Sequence, residues 1–250
     1  TYEEAKQIAS SGQYQTLPVS MEIYSDLCTP IQALRKLQRV SHHCCLLESC
    51  EDSKNWGRYT FLGYNPTLEL TCTDGRLTIR NGSSVTVTTS HPGESIRQVI
   101  AESKSPRFSY LPPFTGGLVG YFAYDYMKYA EPSLKLDAAD EEGFQDVDLM
   151  LFDKVIAFDN LRQKIILIVN IRCDHIETEY NRAQIELRNM YELLSKGEMS
   201  SHQPGRVTSP FRALFDKEAY CGMVEKAKHY ITEGDIFQVV LSNRLEADFE

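Results

Sequence analysis

Adjacent histidines, a glycine cluster, two groups of carboxylates and one glutamine in an apolar run are the residues whose types and spacing could do chemistry. His42 and His43 adjoin, so on a strand they point to opposite faces and cannot chelate one ion together. Nothing elsewhere has zinc-ligand spacing. Gly116, Gly117 and Gly120 invite a phosphate-loop reading, but the stretch lacks the lysine of a P-loop and the GxGxxG order of a dinucleotide site. Close approach of two strands accounts for them better. Asp137, Asp140, Glu141 and Glu142 read as a solvated acidic loop, and Asp146 and Asp148 as the polar face of a strand. Residues 46–49, LLES, end an apolar strand with Glu48 and Ser49 turned outward. A serine there can cap the strand end or bond a ligand's head group. Gln238 lies within 237–241, FQVVL, and its amide does not titrate, so it cannot act as a general base.

The elements that must position these residues follow from local signals. Tyr2–Ser10 reads as a short helix and Thr16–Tyr24 as a strand. Thr29-Pro30 supplies an N-cap with proline at the first helical position, opening a helix to about Gln38. Residues 44–48, 59–63 and 68–72 read as strands. The turn signals Asp74-Gly75 and Asn81-Gly82 follow, which predicts an antiparallel meander with Leu77, Ile79, Val85 and Val87 on one covered face. A helix over 94–102 is expected to turn Ile96, Val99 and Ile100 inward, and 118–123 reads as a strand. Residues 149–158 and 164–171 form a predicted hairpin around 159–163. A helix over 174–195 is expected to bury Ile176, Tyr180, Ala183, Leu187, Met190, Tyr191 and Leu194. Residues 197–210 lack periodicity and read as an exposed linker. In 216–233, Tyr220, Met223, Val224, Ala227, Tyr230 and Ile231 recur at helical spacing, and Gly234 is the expected left-handed stop. Residues 237–241 then read as a mostly buried strand. Such a strand needs neighbours on both sides, and six residues after Arg244 the sequence ends, so the chain reads as the front part of a longer protein.

Strands and helices mix without regular βαβ alternation, which gives an α+β class. A net charge of −9 with no basic cluster argues against a nucleic-acid partner. The start, TYEEAKQIAS, has neither the basic residues nor the apolar run of a secretory signal, and no apolar stretch approaches bilayer length. Seven cysteines without CxxC spacing read as reduced thiols of a cytoplasmic protein.

Four segments carry a family resemblance, in order and spacing: LLES at 46–49 with GRYTFLGYNP at 57–66, FTGGLVGYFAYD at 114–125, DVDLMLFDKVIAFD at 146–159, and GDIFQVVLSNR at 234–244. Together they resemble the chorismate-binding family, anthranilate synthase component I above all. The resemblance implies a β-sandwich with helices packed outside, incomplete at the C-terminal end. It implies a tryptophan-binding regulatory domain over 1–196, a linker over 197–211, and the beginning of a chorismate-binding catalytic domain over 212–250.

The implied activity is conversion of chorismate and ammonia to anthranilate and pyruvate. A glutamine amidotransferase partner would supply the ammonia, Mg²⁺ would be bound by ligands beyond residue 250, and tryptophan would inhibit. The implied inhibitor pocket is lined by Leu47, Glu48, Ser49, Trp56, Arg58 and Tyr59. Water-adding relatives resemble this motif but carry lysine where Gln238 stands, so glutamine favours an aminating enzyme. Asn243 departs from the family's usual glutamine. The folate-route relative, aminodeoxychorismate synthase component I, and a non-catalytic amino-acid-binding module remain the alternative readings.

Overall fold

A computed structural model of the chain describes residues 1–49, 56–88, 91–131, 133–134, 140, 142–201 and 204–250, with the side chain of Trp56 outside that set. Asp137 and Glu141 of the expected acidic loop also lie outside it. The chain forms two compact units, Thr1–Ser200 and Ser201–Glu250.

The first unit holds two five-stranded antiparallel sheets. One runs β1 (Thr16–Tyr24), β10 (Lys164–Arg172), β9 (Lys154–Asp159), β3 (Tyr59–Tyr64), β2 (Cys44–Leu47). The other runs β6 (Ser84–Thr88), β5 (Arg76–Asn81), β4 (Leu68–Thr73), β8 (Val147–Phe152), β7 (Gly117–Phe122). The helices are α1 (Tyr2–Ser10), α2 (Pro30–Leu37), α3 (Pro92–Glu102), α4 (Met127–Ala130) and α5 (Ile176–Lys196). The α+β class read from the sequence is what the chain adopts.

Local chemistry explains most boundaries. The Thr29 hydroxyl accepts from the Gln32 amide at 3.3 Å, and the Gln32 side chain accepts from the Thr29 amide at 3.0 Å, closing a capping box ahead of Pro30. Asp74 and Gly75, at φ of 48° and 78°, form a two-residue turn whose left-handed backbone matches strand twist. A Cβ on Gly120 would stand 1.9 Å from the carbonyl oxygen of Asp148, so this glycine is what lets β7 lie against β8.

The first sheet is covered on both faces. Leu62, Ile156, Phe158, Leu167 and Val169 form one core with Ala33 and Leu37 of α2 and with Ala183, Leu187, Met190 and Leu194 of α5. Val155, Ala157, Ile166 and Ile168 point the other way, under Phe108, Leu111 and Phe114. Leu70, Leu77, Val147 and Leu149 of the second sheet pack with Ile96 of α3 in a cluster of their own.

Four expectations are corrected here. Residues 149–158 are not one strand: β8 ends at Phe152, β9 starts at Lys154, and the two belong to different sheets. The local sign is a change of pattern, from alternation in VDLMLF, with one wet face, to the nearly continuous burial of KVIAFD. Val85 and Val87 do not share a face with Leu77 and Ile79. The two-residue turn pairs them with Arg80 and Thr78, so they stand on the exposed side. Ile100 and Tyr191 are exposed, each on the margin of its helix's apolar stripe rather than at its centre.

The fourth correction is in the second unit, where β11 (Arg212–Ala213) pairs with β12 (Leu245–Glu246), and Val207 bridges Phe249. Here α6 (Lys217–Glu233) runs from an Asp216 cap, whose side chain accepts from the Ala219 amide, to a left-handed Gly234 at φ 84°. Both ends match the sequence reading. The strand expected over 237–241 is absent: the segment is irregular, with Phe237 94% and Val240 80% exposed. Among the described residues no strand of this unit pairs with it, and an apolar run without a partner has nothing to bury it. The expected linker divides: the Ser200 amide donates to the Arg35 carbonyl in the first unit, while Arg206 exchanges backbone hydrogen bonds with Glu250 in the second.

Candidate functional site at the β2–β3 hairpin

β2 is an edge strand, and it delivers the 46–49 segment to the rim of the first sheet. Leu47 pairs with Phe61 across the antiparallel ladder, so both side chains share one face. Tyr59, two residues earlier on β3, adds its ring to the same face and stacks on Phe61 with centroids 5.7 Å apart. Phe114 meets Phe61 edge-on at 5.5 Å. β2 ends at Leu47, leaving Glu48 and Ser49 exposed beyond it, and Leu47 is itself 42% exposed. The result is an aromatic and aliphatic platform, flanked by a polar strand end and by the outer edge of β2, which pairs with no strand among the described residues. Such a surface can hold a flat apolar group and bond a polar head beside it.

Arg58 closes one end. Its guanidinium carbon lies 4.7 Å from the centroid of the Tyr59 ring. Nε and Nη2 donate to the two carboxylate oxygens of Asp159 at 3.1 and 2.7 Å. Asp159 is 1% exposed and also accepts from the amides of Leu161 and Arg162, so one carboxylate shapes the β9–β10 loop and fixes Arg58. Burial alone would raise the Asp159 pKa, but the hydrogen bonds from Arg58 and the loop amides outweigh it and hold the carboxyl below its ordinary value. The Tyr59 hydroxyl is shifted upward, by burial first and by the Asp159 charge second.

The structure thus brings Leu47, Arg58 and Tyr59 together around Phe61, with Glu48 and Ser49 at the rim. Gln238 belongs to the other unit and is exposed in the irregular 237–241 segment. Asn243, the residue that departs from the family pattern, makes two hydrogen bonds with the backbone of Phe215, at 3.1 and 2.8 Å. The sequence signal for Asp159 is its position opening the 159–163 turn, where its carboxylate accepts from the loop amides. Asp146, expected on the polar face of a strand, does not face solvent. It is buried and accepts from the Tyr129 hydroxyl at 2.6 Å and the Asp74 amide at 2.8 Å, with Lys128 at 2.8 Å. It pins the β4–β5 turn to α4.

The family model for chorismate binding enzymes matches residues 42–250 of this chain. The chain belongs to the chorismate-binding enzymes. Among curated members of that family, anthranilate synthase component 1 of Acinetobacter calcoaceticus is 36% identical over 252 residues, covering 98% of this chain and 50% of the relative. The Acetivibrio thermocellus protein of the same name is also 36% identical, over 256 residues, covering 98% and 51%. The crystal structure of anthranilate synthase component I from Streptococcus pneumoniae TIGR4 aligns with a TM-score of 0.55 at 28% identity, over 90% of this chain and 48% of its own. The chain therefore spans about half the length of the curated relatives it matches. The resemblance read from the four motifs is the relationship these comparisons find.

Proposed function

We propose that the complete protein is the large subunit of anthranilate synthase. Chorismate and ammonia would give anthranilate, pyruvate and water: a C–N bond forms as the ring hydroxyl leaves, and the enolpyruvyl group then departs. The observation that carries this reading is the match to two proteins of that name over 98% of the chain. Gln238 supports it, because neutral ammonia needs no general base and glutamine offers none. A glutamine amidotransferase subunit would deliver the ammonia, which free in neutral water is mostly protonated. We assign residues 1–196 to a regulatory part, arranged as a two-layer sandwich, and 212–250 to the opening of the catalytic part, in a cytoplasmic protein.

Mg²⁺ would clamp the substrate carboxylate and take up negative charge. We expect its carboxylate ligands in the portion of the relatives' length that this chain does not span. The 250 residues alone would then give no turnover.

For regulation, we propose that tryptophan lies on the Leu47–Tyr59 platform, with its ammonium and carboxylate groups toward Glu48 and Ser49. Arg58 is a positioning residue that fixes the Tyr59 ring.

The test uses the complete gene product with its amidotransferase, chorismate, glutamine and Mg²⁺. Anthranilate is followed by fluorescence and pyruvate by coupled reduction. Equal yields of the two support the proposal. An aminated product without pyruvate would assign the protein to the folate-route relative instead.

A further inference from the structure

The outer strand of the second sheet, β6, is an edge without a guard. Edge strands expose a row of N–H and C=O groups, and proteins usually blunt them with charge, proline, short length or cover. At the edges of the first sheet, β1 carries Pro18 and Glu22, and β2 is four residues long. Residues 82–88, GSSVTVT, hold neither charge nor proline. Ser84, Val85, Thr86 and Val87 are all exposed, and among the described residues no strand pairs with the outer side of β6. Arg80, beside Val85 on β5, is paired with Glu69 at 3.8 Å. On a chain of net charge −9, this edge is a neutral strip at which copies do not repel one another.

The strand is also complementary to itself. Valine stands on either side of Thr86, and a hydroxyl residue, Ser84 or Thr88, lies beyond each valine. Turned about a two-fold axis at Thr86, antiparallel copies of β6 set Val85 against Val87, Thr86 against Thr86 and Ser84 against Thr88. The phase of the backbone agrees with this register. Gly82, at φ 58°, and Ser83 form a two-residue loop between the paired Asn81 and Ser84. Such a loop closes on a hydrogen-bonded pair, and bonded and non-bonded pairs then alternate along an antiparallel ladder. Ser84, Thr86 and Thr88 therefore bond inward to β5, while Val85 and Val87 present their N–H and C=O groups outward. These are the residues that the two-fold register brings together, so each Val85–Val87 pair can exchange both bonds. A register shifted by one residue would oppose groups that β5 already uses.

We propose that β6 is the interface to a second copy of this chain, the two strands pairing antiparallel about a two-fold axis at Thr86. The pairing joins the second sheets of two copies into one continuous antiparallel sheet. It sets valine against valine on one face and hydroxyl against hydroxyl on the other. Because both copies use the same edge, the contact closes at two chains. It lies in the first unit alone and does not depend on the proposed reaction.

Disulfide trapping in the complete gene product tests the register. Across a non-bonded antiparallel pair the Cα atoms lie about 4.5 Å apart, inside the span of about 4.4–6.8 Å that a disulfide bridges. A Cys221→Ser background removes the exposed thiol among the described residues. In that background Thr86→Cys is expected to form a reducible covalent dimer under mild oxidation. Ser84→Cys, which faces Thr88 of the copy rather than its own counterpart, is expected to stay unlinked. Sedimentation equilibrium measures the affinity. Val85→Lys combined with Val87→Lys sets like charges opposite each other and is expected to raise the dimer Kd at least about tenfold. Equal linking of the two cysteine variants, or an unchanged Kd in the lysine variant, would overturn the proposal. So would a Thr86→Cys that stays unlinked because another chain or another part of this protein covers β6, or a protein without dimer at about 100 μM.

Discussion

Arg58 and Asp159 stand 101 residues apart in sequence and meet through two parallel hydrogen bonds, at 3.1 and 2.7 Å. This one pair ties the start of β3 to the end of β9 and orients the Tyr59 ring. Asp159→Asn should therefore destabilise the first unit by about 1.5–3 kcal/mol, the usual worth of a hydrogen bond to a charged group. Arg58 is 31% exposed at its side chain, which keeps the loss below that of a fully buried pair. Urea unfolding followed by tryptophan and tyrosine fluorescence measures it, and a loss under about 0.5 kcal/mol, the level of ordinary surface changes, would make the pair incidental.

Acid should weaken the fold through Asp159 and Asp146. Both have folded-state pKa values below the ordinary carboxylate range, in each case because hydrogen bonds outweigh the raising effect of burial. A depressed carboxylate contributes stability that is present above its unfolded pKa, about 3.9, and lost as pH falls through the folded value. Asp153 has the opposite sign, raised by burial, and its cost grows as pH rises. Asp153→Asn should thus gain stability over wild type near pH 7 and lose that advantage near pH 3. Melting curves of both proteins across this interval would reveal a pH-independent difference if the argument is wrong.

The register of the β4–β6 meander gives a sharp contrast. Leu77 is fully buried and Val87 is 49% exposed. Leu77→Ala should cost about 2–5 kcal/mol, while Val87→Thr should stay within about 0.5 kcal/mol. Comparable losses at the two positions would mean that Val87 shares the covered face after all.

Within the proposed function, Ser49→Phe in the complete enzyme should relieve tryptophan inhibition and leave uninhibited turnover intact. Losing one hydrogen bond to a charged group costs about 1.5–3 kcal/mol, which weakens binding on the order of ten- to a hundredfold, and the phenyl ring adds a steric block. Inhibition curves for wild type, Ser49→Ala and Ser49→Phe decide the matter. Three identical midpoints would leave Ser49 as a strand-end residue without a regulatory role.

Gln238→Lys in the same enzyme should depress amination and admit water as a competing nucleophile, since a lysine of lowered pKa can serve as a general base. Chromatography of the products is the check. An unchanged anthranilate yield would place Gln238 away from the substrate.

What was legible in the sequence was what neighbours in the chain decide. The box at Thr29 and Gln32, the left-handed Gly234 and the Asp74-Gly75 turn each involve residues within a few positions of one another, so their chemistry is written locally. The misreadings share the opposite property. Whether 237–241 is a strand depends on a partner strand, and none pairs with it among the described residues of this unit. Whether 149–158 is one strand or two depends on which sheet each half joins. A local motif carries Arg58, but the carboxylate that holds it comes from a distant strand. Leu47, Arg58 and Tyr59 could be grouped from their motifs, whereas the Phe61 ring beneath them needed the β2–β3 register.

The pairing of β1 with β10 also sets a schedule for synthesis. Thr16 lies opposite Arg172, and Tyr24 opposite Lys164. At translation rates of roughly 5–20 residues per second, β1 emerges many seconds before its partner exists. Through that interval Leu17 and Val19, later buried, belong to an open strand edge of the kind that recruits other chains. Ribosome-bound chains arrested before Lys164 should accordingly be cut by protease within β1, and those arrested well past Arg172 should resist.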